Sequence, residues 1–137
     1  MNKRLKAASI MLYVVSGVAI LFGLVYSFTP KIMSYHERFL GMTHDQLEPK
    51  VAELLLFILK GAGAAGISIG LSLAMLVKGP LSKGDAWAWW IILVMALMSL
   101  VPLLLITLNM GLYTPWWVVG GMIMLVITAL AISKPPK

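Results

Sequence analysis

The chain has 137 residues, of which 61% are hydrophobic and only 12% charged, whereas soluble domains run near about 45–50% and 25%. A single domain of this length cannot bury so much apolar surface in water, so the composition makes a bilayer the expected solvent. The net charge is +6; cysteine is absent, which excludes disulfides, thiolate metal sites and a thiol nucleophile.

The first apolar run, residues 7–29, contains no charged side chain. At about 1.5 Å per residue it crosses a hydrocarbon core of roughly 30 Å. Lys3, Arg4 and Lys6 precede it, as in a secretory signal. The run is too long for one, however, and no small-x-small cleavage site follows, so it reads as a retained span.

Residues 30–50, PKIMSYHERFLGMTHDQLEPK, form the only sizeable polar stretch. Ile32, Tyr35, His36, Phe39 and Leu40 recur at three- and four-residue spacing, which predicts a short amphipathic helix at the outer interface. Gly41 suits its end, and Thr43 with Gln46 matches a capping box. The segment reads as a connector over the bundle, or, as a sharper alternative, a lid over an outward cavity. His36 and His44 lack metal-ligand spacing and are expected to be solvated; no metal or cofactor is expected.

The second run, residues 51–77, opens after Pro49 and carries Glu53 and Lys60. Lys60 lies about nine residues inside it, roughly 14 Å from its outer start, where a cation is expensive unless it reaches water or a partner. Side chains lean toward the helix N-terminus, so its amine points outward, toward Glu53 seven residues earlier. Asn109 and Glu37 are candidate interhelical partners. Lys60, Glu53, His36, Glu37 and Asn109 are therefore the candidate ligand or ion residues. Ala62, Gly66, Gly70 and Ala74 recur every four residues with Gly63 beside them, a stripe that lets helix backbones approach closely. It serves either packing against the first span, where Gly17 and Gly23 offer room, or a subunit interface.

The third run, residues 86–108, has Asp85 placed to cap it and Pro102 placed to kink it. The fourth, residues 116–132, follows Thr114 as cap and Pro115 as first-turn proline. Trp87, Trp89 and Trp90 are expected to anchor the inner interface, and Trp116 and Trp117 the outer one. Seven basic residues (Lys3, Arg4, Lys6, Lys78, Lys83, Lys134 and Lys137) fall on one side, against Lys31, Arg38 and Lys50 on the other. The positive-inside rule then puts both termini in the cytoplasm, and the charge reads as topology and anionic-lipid contact, with no nucleic-acid partner.

The stretches MSYHERFLGMTHDQLEP, KGDAWAWW and TPWW, with a basic residue before a glycine cluster in the second span, resemble a group of small four-span bacterial inner-membrane proteins of uncharacterised function. That resemblance implies a four-helix membrane fold and carries no activity, cofactor or catalytic residue. A more distant similarity, in span count and intramembrane charge only, is to the emopamil-binding-like sterol isomerases, from whose pattern this chain departs in lacking a convincing second intramembrane carboxylate.

The expectation is an all-α, multi-pass integral membrane four-helix bundle with a short amphipathic outer segment, residing in the bacterial cytoplasmic membrane. Its expected role is non-enzymatic: a homo-oligomer or an accessory subunit of a larger membrane complex. One alternative is a small transporter or channel component with Lys60 and Glu53 in an outward vestibule. Another is a lipid- or isoprenoid-acting enzyme, which requires Glu53, Lys60 and His36 to converge on a common point.

Overall fold

The structure, a computed structural model, describes residues 3–133; Lys134 and Lys137, two of the seven basic residues assigned to the inner side, lie outside the described residues. Helix α1 spans Lys3–Phe28, α2 Ser34–Leu40, α3 Pro49–Leu76, α4 Ala86–Met110 and α5 Trp116–Ser133. Four of these are long and apolar enough to cross a membrane. The chain is an all-α, multi-pass membrane protein, and the four long helices match the four apolar runs.

Their ends differ in instructive ways. The second span does not stop at Val77. It continues through a π-helical stretch, Val77–Leu81, with Pro80 inside it, and remains helical to Lys83. A proline ring collides with the carbonyl four residues back and offers no N–H; the wider π turn accommodates both defects. The helix ends at Gly84, whose φ of +86° lies in the left-handed region that glycine tolerates. Asp85 occupies the cap position of α4 but makes no side-chain capping bond. Thr114 is no cap for α5 either. It is almost fully buried, and its hydroxyl lies 2.8 Å from the Thr107 and Gly111 carbonyls, tying the α4–α5 turn back onto α4. Helix α4 runs unbroken through Pro102.

Helix α1 is the hub. It packs along α3 for most of its length and also against α5, which holds α4 on its other side, while α3 and α4 barely touch. The α1–α3 seam explains the small-residue stripe. A Cβ on Gly63 would sit 2.6 Å from the Gly23 carbonyl, and one on Gly70 would sit 2.8 Å from the Ser16 carbonyl. Gly66 faces Ala19 and Gly23 at ordinary contact distance. The Ser16 hydroxyl donates to the Gly70 carbonyl at 2.6 Å, a buried bond across the seam. Of the two α1 glycines expected to make room, Gly23 does so; Gly17 has open space in front of it.

The densest packing lies toward the termini. Ala8 and Leu12 of α1, Val77 after α3, Ala88 and Ile92 of α4 and Ala129 of α5 are all but inaccessible. Trp89 joins this layer. Its indole Nε1 donates to the Leu130 carbonyl at 2.9 Å, bridging α4 and α5. Trp87, Trp90, Trp116 and Trp117 are exposed on the bundle surface.

Candidate functional site: an apolar cavity under the outer segment

Away from the terminal layer the four long helices part and enclose a cavity of about 390 Å³. Its inner end is formed by Val15, Leu73, Ile92 and Val126, which also belong to the packed core. Toward the outer side it is bounded by Tyr26, Ala62, Thr107 and Pro115. The cavity exists because α3 and α4 are held apart, each on its own neighbour, and because the middle of α3 presents small residues to it, Ala62, Ala65 and Gly66. Pro102 lines it as well. The lining carries no ionisable group other than the Tyr26 phenol. The Ser99 hydroxyl is already bonded to the Met95 carbonyl at 2.7 Å, and that of Thr107 lies 2.9 Å from the Leu104 carbonyl. The volume falls within the roughly 300–1,000 Å³ typical of small-molecule sites, and the chemistry of the wall is that of hydrocarbon.

The outer segment follows α1 and lies toward the end of the cavity at which Tyr26, Thr107 and Pro115 stand. Helix α2 ends at Gly41, with φ +70° and its N–H donating to the Glu37 carbonyl, as its sequence predicted. A single 3₁₀ turn, His44–Gln46, follows, with the Gln46 side chain accepting from the Thr43 N–H at 2.8 Å. Two contacts fasten α2 to the bundle. The Tyr35 hydroxyl is hydrogen-bonded to that of Tyr26 on α1. Three residues on, the Arg38 guanidinium lies over the Tyr113 ring in the α4–α5 turn, 4.6 Å from its centroid. Burial and the bond to Tyr26 push the Tyr35 phenol well above the ordinary tyrosine range. It therefore remains a neutral hydroxyl at every physiological pH.

The expected apolar face of α2 forms only in part. Ile32 is buried and Tyr35 and His36 are half-buried, but Phe39 and Leu40 are exposed, and Glu37 turns inward to accept the His44 N–H at 2.7 Å. Nor are the histidines fully solvated. His36 Nδ1 accepts the Met33 N–H at 3.2 Å, its ring lies tilted against Tyr35 with centroids 4.4 Å apart, and burial lowers its pKa. Among the described residues no three of His, Asp and Glu gather as a metal site.

The remaining candidates are dispersed. Lys60 and Glu53 are exposed and neither lines the cavity. At about 100° per residue, both lie on nearly the opposite side of α3 from Ala62, Ala65 and Ile69, the residues that do. Asn109 donates to the Leu105 carbonyl one turn back, at 2.8 Å, and neither it nor Glu37 reaches Lys60. His36 is a residue of α2, its ring engaged with the Met33 N–H. Glu53, Lys60 and His36 thus share no common point. Of the small stripe, Gly63, Gly66 and Gly70 serve the α1 seam, Ala62 faces the cavity, and Ala74 is half-buried.

Sequence reasoning missed Tyr26, Arg38 and Tyr113 as parts of a site. The sequence reading does not single out Tyr26 in the first span, and Arg38 reads as one of three basic residues on the outer side. Their pairing becomes legible only once the fold brings Tyr26 to Tyr35 and Tyr113 to Arg38. No protein-family model, curated protein or solved structure matches the chain.

Proposed function

We propose that this chain is a non-enzymatic membrane protein that binds the hydrocarbon tail of a lipid in its four-span cavity. The observation that carries this reading is the cavity itself, apolar at every level and contributed to by all four long helices. A hydrocarbon chain gains nothing from leaving lipid for an apolar wall, so affinity in such a site comes from close packing and from the polar end of the ligand. Neither alternative weighed from the sequence gains support: the acid–base set an enzyme needs does not converge, and Lys60 with Glu53 faces away from the cavity.

The test is native mass spectrometry of the protein extracted in mild detergent. One co-purifying lipid per chain is expected. Ala96→Trp, which fills the cavity, should abolish it, while Leu97→Trp, on the exposed face one residue away, should retain it. Equal lipid content in the two variants would refute the proposal.

A homo-oligomer or accessory subunit of a larger complex remains a second reading, favoured by one observation. Gly61, Ala64 and Ser68 lie exposed on α3, and a Cβ at Gly61 would meet nothing, so a second small-residue face is turned outward for another helix. Gly61→Ile would dissociate such an assembly on a size-exclusion column; an unchanged elution volume would dismiss it. We further propose that the protein resides in a bacterial cytoplasmic membrane with both termini inside, because Lys3, Arg4, Lys6, Lys78 and Lys83 gather at the end of the bundle that carries the termini. Reporter fusions at the two ends should both report the cytoplasm, and a periplasmic signal from either would reverse the assignment.

A further inference from the structure

We infer that the cavity takes an anionic, single-tailed amphiphile, which enters sideways between α3 and α4 and is held head-outward by Arg38 and the Tyr26–Tyr35 pair. The inference rests on the reading of the cavity as a site for a hydrocarbon tail and adds the polarity of the head, its position and its route.

Direction comes from the wall. The inner end is closed by Val15, Leu73, Ile92 and Val126, packed core residues with no polar side-chain atom, whereas Tyr26 and Thr107 stand toward the outer end. An amphiphile lying in this cavity buries its tail inward and leaves its head beneath α2.

The groups that meet the head are fixed by α2. Tyr35 and Arg38 are three residues apart and so share one side of the helix. One reaches α1 through Tyr26 and the other reaches the α4–α5 turn through Tyr113. Both neighbours border the cavity, Tyr26 directly and Tyr113 through Thr114 and Pro115, the latter a lining residue.

Charge selects the head. The Arg38 guanidinium is held 4.6 Å from the Tyr113 ring centroid, and its N–H groups can bind a carboxylate or phosphate with two parallel bonds. Among the described residues no carboxylate takes that role. Asp45 is paired with Lys31 at 2.8 Å, and Glu37 accepts the His44 N–H. An unpaired guanidinium held on Tyr113, two residues before the lining Pro115, therefore selects an anion. The two phenols contribute two protons, of which their mutual bond uses one. The other is available to an oxygen of the head.

The route follows from the packing. The inner end is packed shut, and on the outer side α2 is tied both to α1 and to the α4–α5 turn. The side between α3 and α4, helices that barely touch, faces the bilayer. A lipid tail passing between them never leaves hydrocarbon.

The experiment compares hexadecanoic acid, hexadecyl phosphate and hexadecanol, three ligands with one tail and different heads, by displacement of a fluorescent fatty acid from the purified protein at a pH where the acid is ionised. The wild type should bind the acid and the phosphate at least about ten-fold more tightly than the alcohol, the size of one charge-assisted hydrogen bond. Arg38→Gln should erase that preference and leave hexadecanol binding unchanged, and Arg38→Lys should retain part of it. The relative affinities of acid and phosphate separate a carboxylate head from a phosphate one. Equal binding of acid and alcohol by the wild type, or a preference that survives Arg38→Gln, overturns the inference about the head while leaving tail binding standing. If none of the three displaces the probe, the tail reading falls as well.

Discussion

A lysine inside an apolar run is expensive only if its ammonium remains in hydrocarbon. Counted along α3, Lys60 looks deep. The seam with α1 gives a different depth. Gly63 lies against Gly23 and Ser27, and Gly70 against Ser16 and Ile20, so in this antiparallel pair Lys60 is level with the last turn of α1, which ends at Phe28. Helix α3 begins well beyond that level, and a lysine side chain leaning toward its N-terminus reaches the outer interface. No partner is needed there, and none is present. Lys60→Met should therefore leave the detergent melting temperature unchanged, whereas a fall of several degrees would point to a buried role. His36 carries a different expectation. Its pKa is lowered from the ordinary 6.5 by burial, so the unfolded chain binds more protons than the folded one as pH falls through that value. Stability is whole above about pH 6.5 and declines below it. Protonation also converts Nδ1 from the acceptor of the Met33 N–H into a donor. A melting profile against pH should show this decline in the wild type and a flatter line in His36→Asn; matching profiles would remove His36 from the account.

At the scale of elements, the α1–α3 seam is backbone against backbone, and its glycines cannot be replaced at equal cost. Gly70→Val drives methyls into the Ser16 carbonyl and Ile20, and overpacking of this kind costs about 1–3 kcal/mol. Gly120→Ala places a methyl where nothing lies within 4 Å and should cost little. Unfolding titrations in mixed micelles will separate the two; equal losses would contradict the seam. The small stripe was legible in the sequence as a close approach, with the first span and a second subunit left as alternative partners, because four-residue spacing names a face and not what meets it. The end of α3 was misread for a clear reason. Lys78-Gly79-Pro80 has the composition of a helix stop, and the chain instead absorbs the proline in a π turn and stops at Gly84. Thr114 likewise had the spacing of a cap, and tertiary structure turned its hydroxyl toward Thr107.

For the whole molecule, the four spans could be read from hydropathy and length because each apolar run must satisfy its own backbone in lipid. The cavity could not. Helices α4 and α5 are apolar on every side, so no periodicity tells which face meets a neighbour and which meets lipid. That α1 is the hub, and that α3 and α4 stand apart, follows from the seam glycines and from bonds such as Trp89 to Leu130, which link positions distant in sequence. The residues that fasten α2 to the bundle, Tyr35 and Arg38, were not those singled out as ligands. The central claim is that lipid tails enter the bundle rather than merely coating it. Photolabelling in vesicles with a fatty acid carrying a diazirine midway along its tail, followed by peptide mapping, tests it most directly. The account predicts saturable adducts on cavity residues such as Ala19, Phe22, Met95 and Leu103, competed away by unlabelled fatty acid. Adducts confined to the outward faces, at Leu24, Phe57 and Leu97, and insensitive to competitor would contradict it.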